Sequence, residues 1–423
     1  MRDDPPPGLT RIVHRVDTVA LGDETQYDAG VLTVSASEAE TVMTDPALGE
    51  VRVSWVSAGE PARIVKILDA VEPRAKGLGG GGIFPGILGP AKPQGHGETH
   101  VLQGAVVVAA GFLPRAQEAV ADLSGPAAAL SPLGSAHNLV VEFSPAPGAS
   151  WEAVEAALRR GLCRLAAWLA SAALDAPPDA VEALPGPAWQ AGDGLPRVGA
   201  VTNIQTQGSY KDTFVYGQSF GLSLPTLMDP NELEDGAVTS GQYGHPALKN
   251  PTFLYQNHPV VAALRDRDGR DLRFAGLVVC PEPVEQGRKE LISEHAARLC
   301  AAAGLDAAVV TKEGGGNADA DMALKMDALE ALGIPAVGLF AEMAGADGTG
   351  PPVVVAPTRA TAMASTGNYD QVVSLPAVGR AVGGHRVDLV DRPATAPLEL
   401  PTAALYCALS PLGWGRLTCQ ETV

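Results

Sequence analysis

The stretch "EDGAVTSGQYGHPALKN", Glu234 to Asn250, places Thr239, Ser240, Gly241, Gln242, Tyr243, Gly244, His245 and Pro246 in eight consecutive positions. A tyrosine and a histidine two residues apart in a turn are the material of an acid–base pair, and they equally suit a solvated polar loop. Ser240 lacks the G-x-S-x-G elbow of a hydrolase nucleophile. A second stretch, "TKEGGGNADADMALKM" from Thr311 to Met326, leaves a strand, crosses three glycines and opens a helix with Asn317 or Asp319 as its cap. Ligands of open α/β sheets bind at such strand ends. Glu313, Asp319 and Asp321 suit a substrate amine or a divalent cation, with Asn317 beside them; acidic residues also favour a first helical turn for dipole reasons alone. The glycine spacing matches neither a dinucleotide fingerprint nor a P-loop. A third stretch, "VTNIQTQGSYKDTFVYG", sets Asn203, Gln205 and Gln207 on one face of an extended segment, where amides read a carboxylate or line an exposed sheet.

The elements that position these groups follow from the apolar pattern. From Arg11 to about Val71, short alternating runs such as "GVLTVS" and "EVRVSWV" between turn residues predict strands. A glycine-rich loop between Lys76 and His96 cannot hold a regular element and reads either as an anion-binding nest or as an interdomain connection. His96 and His100 lie four apart, but Gly95, Gly97 and the following strand exclude the helix that would make them a metal face. "SWEAVEAALRRGLCRLAAWLASAAL" predicts a helix capped by Ser150 with Glu152 and Glu155 in its first turn, and a linker follows near 175 to 196. Beyond Phe274 the runs "FAGLVVCPE", "DAAVVTKEG", "IPAVGLFAE" and "PVVVAP" alternate with two helices, the pattern of a parallel sheet. The expected fold is α/β (α+β overall): a β-rich region over 1–145, a helix and linker over 146–195, and an α/β body over 196–423 with a short tail.

The chain of 423 residues is 46% hydrophobic and 18% charged, enough for one large or several smaller cores. Its 48 acidic against 30 basic residues give a net charge of −18, which disfavours nucleic acid and anionic membranes as partners. Cys163, Cys280, Cys300, Cys407 and Cys419 form no C-x-x-C pair, so they read as intracellular thiols. With no apolar leader and no run of about 20 apolar residues, a cytoplasmic protein is expected.

Taken together, "VEPRAKG", "GGIFPGI", "THVLQGAVVVAAG", "DLSGP", "QTQGSYKDTFVYG", "PNELEDGAVTSG", "KNPTFLYQNHPVV", "EGGGNADADMALKMDALEALGI" and "STGN" resemble, in one order over roughly residues 20 to 380, the α/β subunit proprotein of component B of the glycine, sarcosine and betaine reductases, and more distantly the D-proline reductase proprotein. The resemblance implies a loop that is cut just before a cysteine, which becomes a pyruvoyl group; that carbonyl captures the substrate amine, and a partner's selenol or thiol displaces it. Where the family reads Ser-Gly-Asn-Cys, this chain reads Ser240, Gly241, Gln242, Tyr243. A phenol is too weak and too bulky for the acyl shift that starts cleavage, so no pyruvoyl group is expected and no cofactor is predicted beyond a possible divalent metal. Two readings follow. One is an uncut subunit or enzyme acting on an amino-acid-like small molecule by reductive C–N or C–S chemistry, with Tyr243, His245 and Glu313 catalytic and Arg74, His100, Asn203, Gln205, Gln207, Asn317, Asp319 and Asp321 binding substrate. The other is a non-catalytic scaffold, oligomeric and bound to a second subunit that carries a redox cysteine or selenocysteine. In either, the site forms between loops near 74–100, 203–217, 240–250 and 313–321.

Overall fold

Period-two apolar patterning becomes, in the computed structural model, a set of small twisted sheets in the first 185 residues; the structure describes residues 8–77, 81–114, 116–187, 194–206, 213–241, 243–360, 362–415 and 417–421. The elements used below are β1 (Leu9–Arg15), β2 (Leu48–Val56), β3 (Ile67–Val71), β4 (Arg74–Lys76), β5 (Gly97–Gln103), β6 (Ala105–Ala110), β7 (His137–Pro145), helix α1 (Trp151–Ser171) and β8 (Ala180–Leu184). One sheet runs β8-β1-β5-β4 and a second β2-β7-β6-β3. Helix α1 is capped as the sequence indicates, the Ser150 side chain accepting from the Ala153 amide. Its apolar stripe, Val154, Leu158, Leu162, Leu165 and Leu169, packs with β6 residues Val107 and Ala109. Glu155 and Arg159 of the same helix are also buried.

The second half is the expected α/β body. It contains β9 (Arg197–Gln205), β10 (Thr226–Met228), β11 (Arg273–Glu282), α2 (Gln286–Ala302), β12 (Ala307–Thr311), α3 (Asn317–Ala331), β13 (Ala336–Glu342), β14 (Ala362–Asn368) and β15 (Thr418–Glu421). The sheet order is β10-β11-β9-β12-β13-β14-β15, with the five central strands parallel and both edges antiparallel. Helices α2 and α3 cover one face through Ile292, Cys300, Met322 and Met326. On the other face, Ala200, Ile204, Leu277 and Val279 share a core with Val260 and Leu264 of helix Pro259–Arg267 and with Ile64, Ile67, Val106 and Val108 of the N-terminal sheets.

Two details differ from the sequence reading. "PVVVAP" is irregular, with Val354 69% exposed, and the fifth parallel strand is β14 instead. Pro351, Pro352 and Pro357 around the valines remove the amides a central strand must donate. Helix α3 begins after Gly316, which has no side-chain cap; Asn317 and Asp319 lie inside its first turn. Two packing features complete the frame. Residues 372–405 return to the N-terminal region, where Arg380–Val382 pairs in parallel with Ala62–Val65. The glycine-rich loop docks through buried Phe84, whose amide donates to the Asp235 carbonyl at 2.8 Å and whose ring lies where any side chain at Gly236 would collide. Among the described residues no helix is long and apolar enough to cross a membrane.

Candidate functional site

Counting along the chain, β9 comes first, β11 adds on one side and β12 on the other, so the order reverses between β9 and β12. At such a point neighbouring connections leave toward opposite faces and open a crevice at the strands' carboxyl ends. Gln205 ends β9, and Glu313 lies two residues past β12; the Gln205 amide donates to Glu313 Oε2 at 3.1 Å. Glu313 also accepts from the Tyr255 hydroxyl at 2.8 Å and the Asn250 amide at 3.2 Å. Asn250 closes the loop that begins at Thr239, so the sheet crevice and the loop meet on one carboxylate.

That loop is an interior turn. Ser240, Tyr243, Lys249 and Asn250 are all buried. The Ser240 amide donates to Thr252 Oγ1 at 3.0 Å, and Thr252 donates to Asp69 from both its amide, at 3.0 Å, and its hydroxyl, at 2.7 Å. Lys249 Nζ donates to Ser240 Oγ at 2.7 Å and stands 5.3 Å from the Tyr243 ring centroid. Burial lowers the Lys249 pKa against the opposing charges of Asp69 and Glu313, and burial raises both carboxyls despite Lys249. Tyr243 donates to Glu155 Oε1 at 3.2 Å, and Glu155 pairs with Arg159 at 2.6 Å. Burial, then the Glu155 charge, hold the phenol far above its ordinary pKa, so Tyr243 keeps its proton and acts as a donor.

His245 turns the other way. It adopts a left-handed φ of 50°, its amide donates to Gln117 Oε1 at 2.7 Å, and its Nδ1 faces the Tyr369 hydroxyl at 3.3 Å. Burial, reinforced by Lys312, lowers its pKa and favours the neutral ring. Tyr243 and His245 thus reach different partners, and the two-residue spacing does not make them a pair. Tyr406 and Cys407, distant in sequence, close the cluster: the Cys407 amide donates to the Pro246 carbonyl at 2.8 Å. Both lie within electrostatic reach of Asp69 and Glu313.

The other sequence candidates are dispersed. Arg74 is fully buried and bonds Glu72, Glu234, the Gln256 carbonyl and Asn257, a set that occupies its guanidinium within the protein. His100 Nδ1 sits 2.9 Å from His14 Nε2. Asn203 is buried beside its register partner Cys280, with no hydrogen-bond partner on either amide atom among the described residues. Gln205 packs against Gly314, where a Cβ would meet its Oε1 at 2.9 Å; Gln207 lies outside the described residues. Asp319 pairs with Lys312 and Asp321 with Lys289 and Lys325, while the Asn317 carbonyl accepts from Lys289 at 3.3 Å. Glu313, Asp319 and Asp321 therefore do not form the divalent-cation site their spacing suggested, because lysines neutralise two of them and hydrogen bonds hold the third. Among the described residues no three His, Cys, Asp or Glu side chains converge as a metal site requires.

Sequence reasoning passed over Asp69, Glu155, Arg159, Lys249, Tyr255, Tyr406 and Cys407. A usable signal existed for Asp69, a lone charge inside the apolar run "ILDAV". Glu313→Ala removes the acceptor of three buried donors and is expected to cost about 3 kcal/mol, read as a lower urea midpoint at unchanged m-value; Glu313→Gln, which keeps one acceptor oxygen, loses less.

Comparison with known proteins matches the family described as glycine/sarcosine/betaine reductase component B subunits to residues 9–399. The chain is 33% identical over 419 residues to the glycine reductase complex component B subunits alpha and beta of Peptoclostridium acidaminophilum, covering 96% of this chain and 97% of that protein. From the same organism, the sarcosine reductase complex component B subunit alpha is 34% identical over 374 residues, 87% of each chain. The betaine reductase complex component B subunit alpha is 28% identical over 435 residues, covering 96% of this chain and 98% of its own. No solved structure matches.

Proposed function

The chain belongs to the glycine/sarcosine/betaine reductase component B family, and we propose that it is an uncut subunit of that type, binding an amino-acid-like small molecule where the 239–250 loop meets the carboxyl ends of β9 and β12. The observation that carries the reading is Tyr243. It occupies the loop position where the family's cysteine is expected, and its phenol is buried on Glu155 at 3.2 Å. A pyruvoyl group does not fit these residues. The tyrosine offers no thiol or aliphatic hydroxyl beside its own backbone, and Ser240 precedes the junction and is held by Lys249. The groups gathered at the junction, Asp69, Glu313 and Lys249, supply both acceptors and a donor, the kinds of group that the two ends of an amino-acid-like molecule require.

In this reading the subunit serves reductive C–N or C–S chemistry together with a second, thiol- or selenol-bearing protein, and its relatives' names as complex components support such a partner. The test is the intact mass of the purified protein before and after borohydride treatment with glycine or sarcosine. A single chain of 43.4 kDa without an amine adduct is expected. Two fragments, with a trapped amine on the C-terminal one, would refute the assignment of Tyr243.

A further inference from the structure

The seven-stranded sheet ends on β10, which pairs with β11; among the described residues no strand covers its outer edge. Met228 turns into the core shared with the N-terminal sheets, so Leu227, next to it on the strand, turns toward the face that carries α2, as does its register partner Val278. The antiparallel register runs Thr226 against Val279, and continuing it brings Leu224 and Leu222 alongside the end of β11 and Val284 just beyond it. Helix α2 fastens this stretch in place: the Arg288 guanidinium donates to the Gly221 carbonyl at 3.1 Å and to the Ser223 carbonyl at 3.4 Å. Leu222 therefore lies beside Arg288, one helical turn from Leu291.

All five apolar side chains of this corner, Leu222, Leu224, Leu227, Val284 and Leu291, are exposed, Leu222 to 86% and Val284 to 64%. They make one apolar surface across the edge strand, the loop before it and α2, a contiguous patch of the kind that marks an interaction site. Arg288, the charged side chain at its centre, is spent on backbone carbonyls, so the patch selects for an apolar partner surface and not for a charge. At these exposures the five side chains present roughly 500 Å², and two such faces together bury about 1,000 Å², the size at which specific interfaces begin. An antiparallel edge strand meets its own copy about a two-fold axis, and the same rotation lays the patch on itself.

We propose that this corner is a homodimer surface: a second copy of the chain docks on it, β10 against β10, with Leu222, Leu224, Leu227, Val284 and Leu291 of each copy covered by the other. Because β10 has three residues, backbone hydrogen bonds across the axis are few and the apolar contact carries most of the association. The net charge of −18 on each copy opposes the approach, so screening it with salt tightens the dimer. The surface stands apart from the proposed ligand site at β9 and β12, and neither reading depends on the other.

Sedimentation velocity of the full-length protein over a concentration series tests this. A species of twice the 43.4 kDa chain mass is expected, with a dissociation constant that falls as sodium chloride is raised. Leu222→Asp and Leu224→Asp together weaken the dimer about a hundredfold or more, since both copies lose both contacts. Leu332→Asp, at a similarly exposed leucine just past the end of α3, leaves it unchanged. Hydrogen exchange on the wild-type protein needs no variant: the amides of residues 226–228 exchange more slowly as concentration drives dimer formation. A chain that stays monomeric overturns the proposal, as does a dimer that the paired substitution leaves unchanged or one in which residues 226–228 exchange as fast as in the monomer.

Discussion

Asp122→Ala lowers the stability of this protein by about 3–5 kcal/mol, because it strands a guanidinium in the interior. Arg63 and Asp122 are both fully buried and joined by two hydrogen bonds, at 2.5 and 2.9 Å. The remaining Arg63 donors reach the carbonyls of Pro376, Ala394 and Ala396 at 2.8–2.9 Å. Removing the carboxylate leaves the charge desolvated with only dipoles to hold it. Urea unfolding measures the loss. The matched control is Glu60→Ala, which removes the partly exposed partner of Arg380 and is expected to change stability by about 0–1 kcal/mol. Equal midpoints for the two variants would mean that the buried pair contributes no more than a surface one. The effect reaches the site as well, because the segment fastened by Arg63 also carries Tyr369, Tyr406 and Cys407 toward the loop.

The second large effect is an acid limb due to His258. This residue caps helix Pro259–Arg267, its Nδ1 accepting from the Val261 amide at 3.5 Å, which leaves Nε2–H to donate to Thr202 Oγ1 at 2.9 Å. The cap at Nδ1 needs the neutral ring, while the donation to Thr202 does not, and burial pushes the ring's pKa down to about 3. Above pH 6.5 the ring is neutral whether the chain is folded or unfolded, and the group adds no pH dependence. Between pH 6.5 and about 3 the unfolded chain takes up a proton that the folded chain refuses, so stability falls as pH falls, by up to about 4–5 kcal/mol. Asp69 and Glu313, whose carboxyls burial raises, act in the opposite sense, so the comparison must be between variants. His258→Asn keeps a capping acceptor without a titrating ring. Its stability is expected to fall about 3 kcal/mol less than wild type from pH 7 to pH 4, and parallel pH profiles would rule out a buried neutral histidine.

What could be read in advance divides along physical lines. The parallel sheet was legible because "FAGLVVCPE" and "IPAVGLFAE" are apolar through their whole length, as only strands covered on both faces can be. "PVVVAP" has the same residues and failed because proline, not apolarity, decides whether a central strand can be paired. Glu313 was reachable through its position after a strand and before three glycines. Asp69 was marked only by its place inside the apolar run "ILDAV", and Lys249 was not marked at all, since a single lysine in a polar loop reads as solvated until the fold closes over it. The divergence of Tyr243 and His245 depends on one left-handed residue, and nothing in the spacing encodes it. Arg74 and His100 were drawn into the site by the glycine-rich loop between them, yet Arg74 binds acids that come from other elements, Glu72 and Glu234.

The pairing of Ala62–Val65 with Arg380–Val382 also sets a schedule. Arg63 and the Ala394 carbonyl that receives it are 331 positions apart. A ribosome adding about 5–20 residues per second needs on the order of half a minute to bridge that interval. Through that time the edge of Ala62–Val65 that faces Arg380–Val382 in the finished protein stands unpaired, open to strands of neighbouring nascent chains. Non-local pairing of this kind slows the final closure and exposes intermediates to aggregation. The yield of soluble protein should therefore depend on synthesis temperature and chaperone supply more than the stability of the finished molecule would suggest. A chain ending before residue 380 would keep that edge open for good.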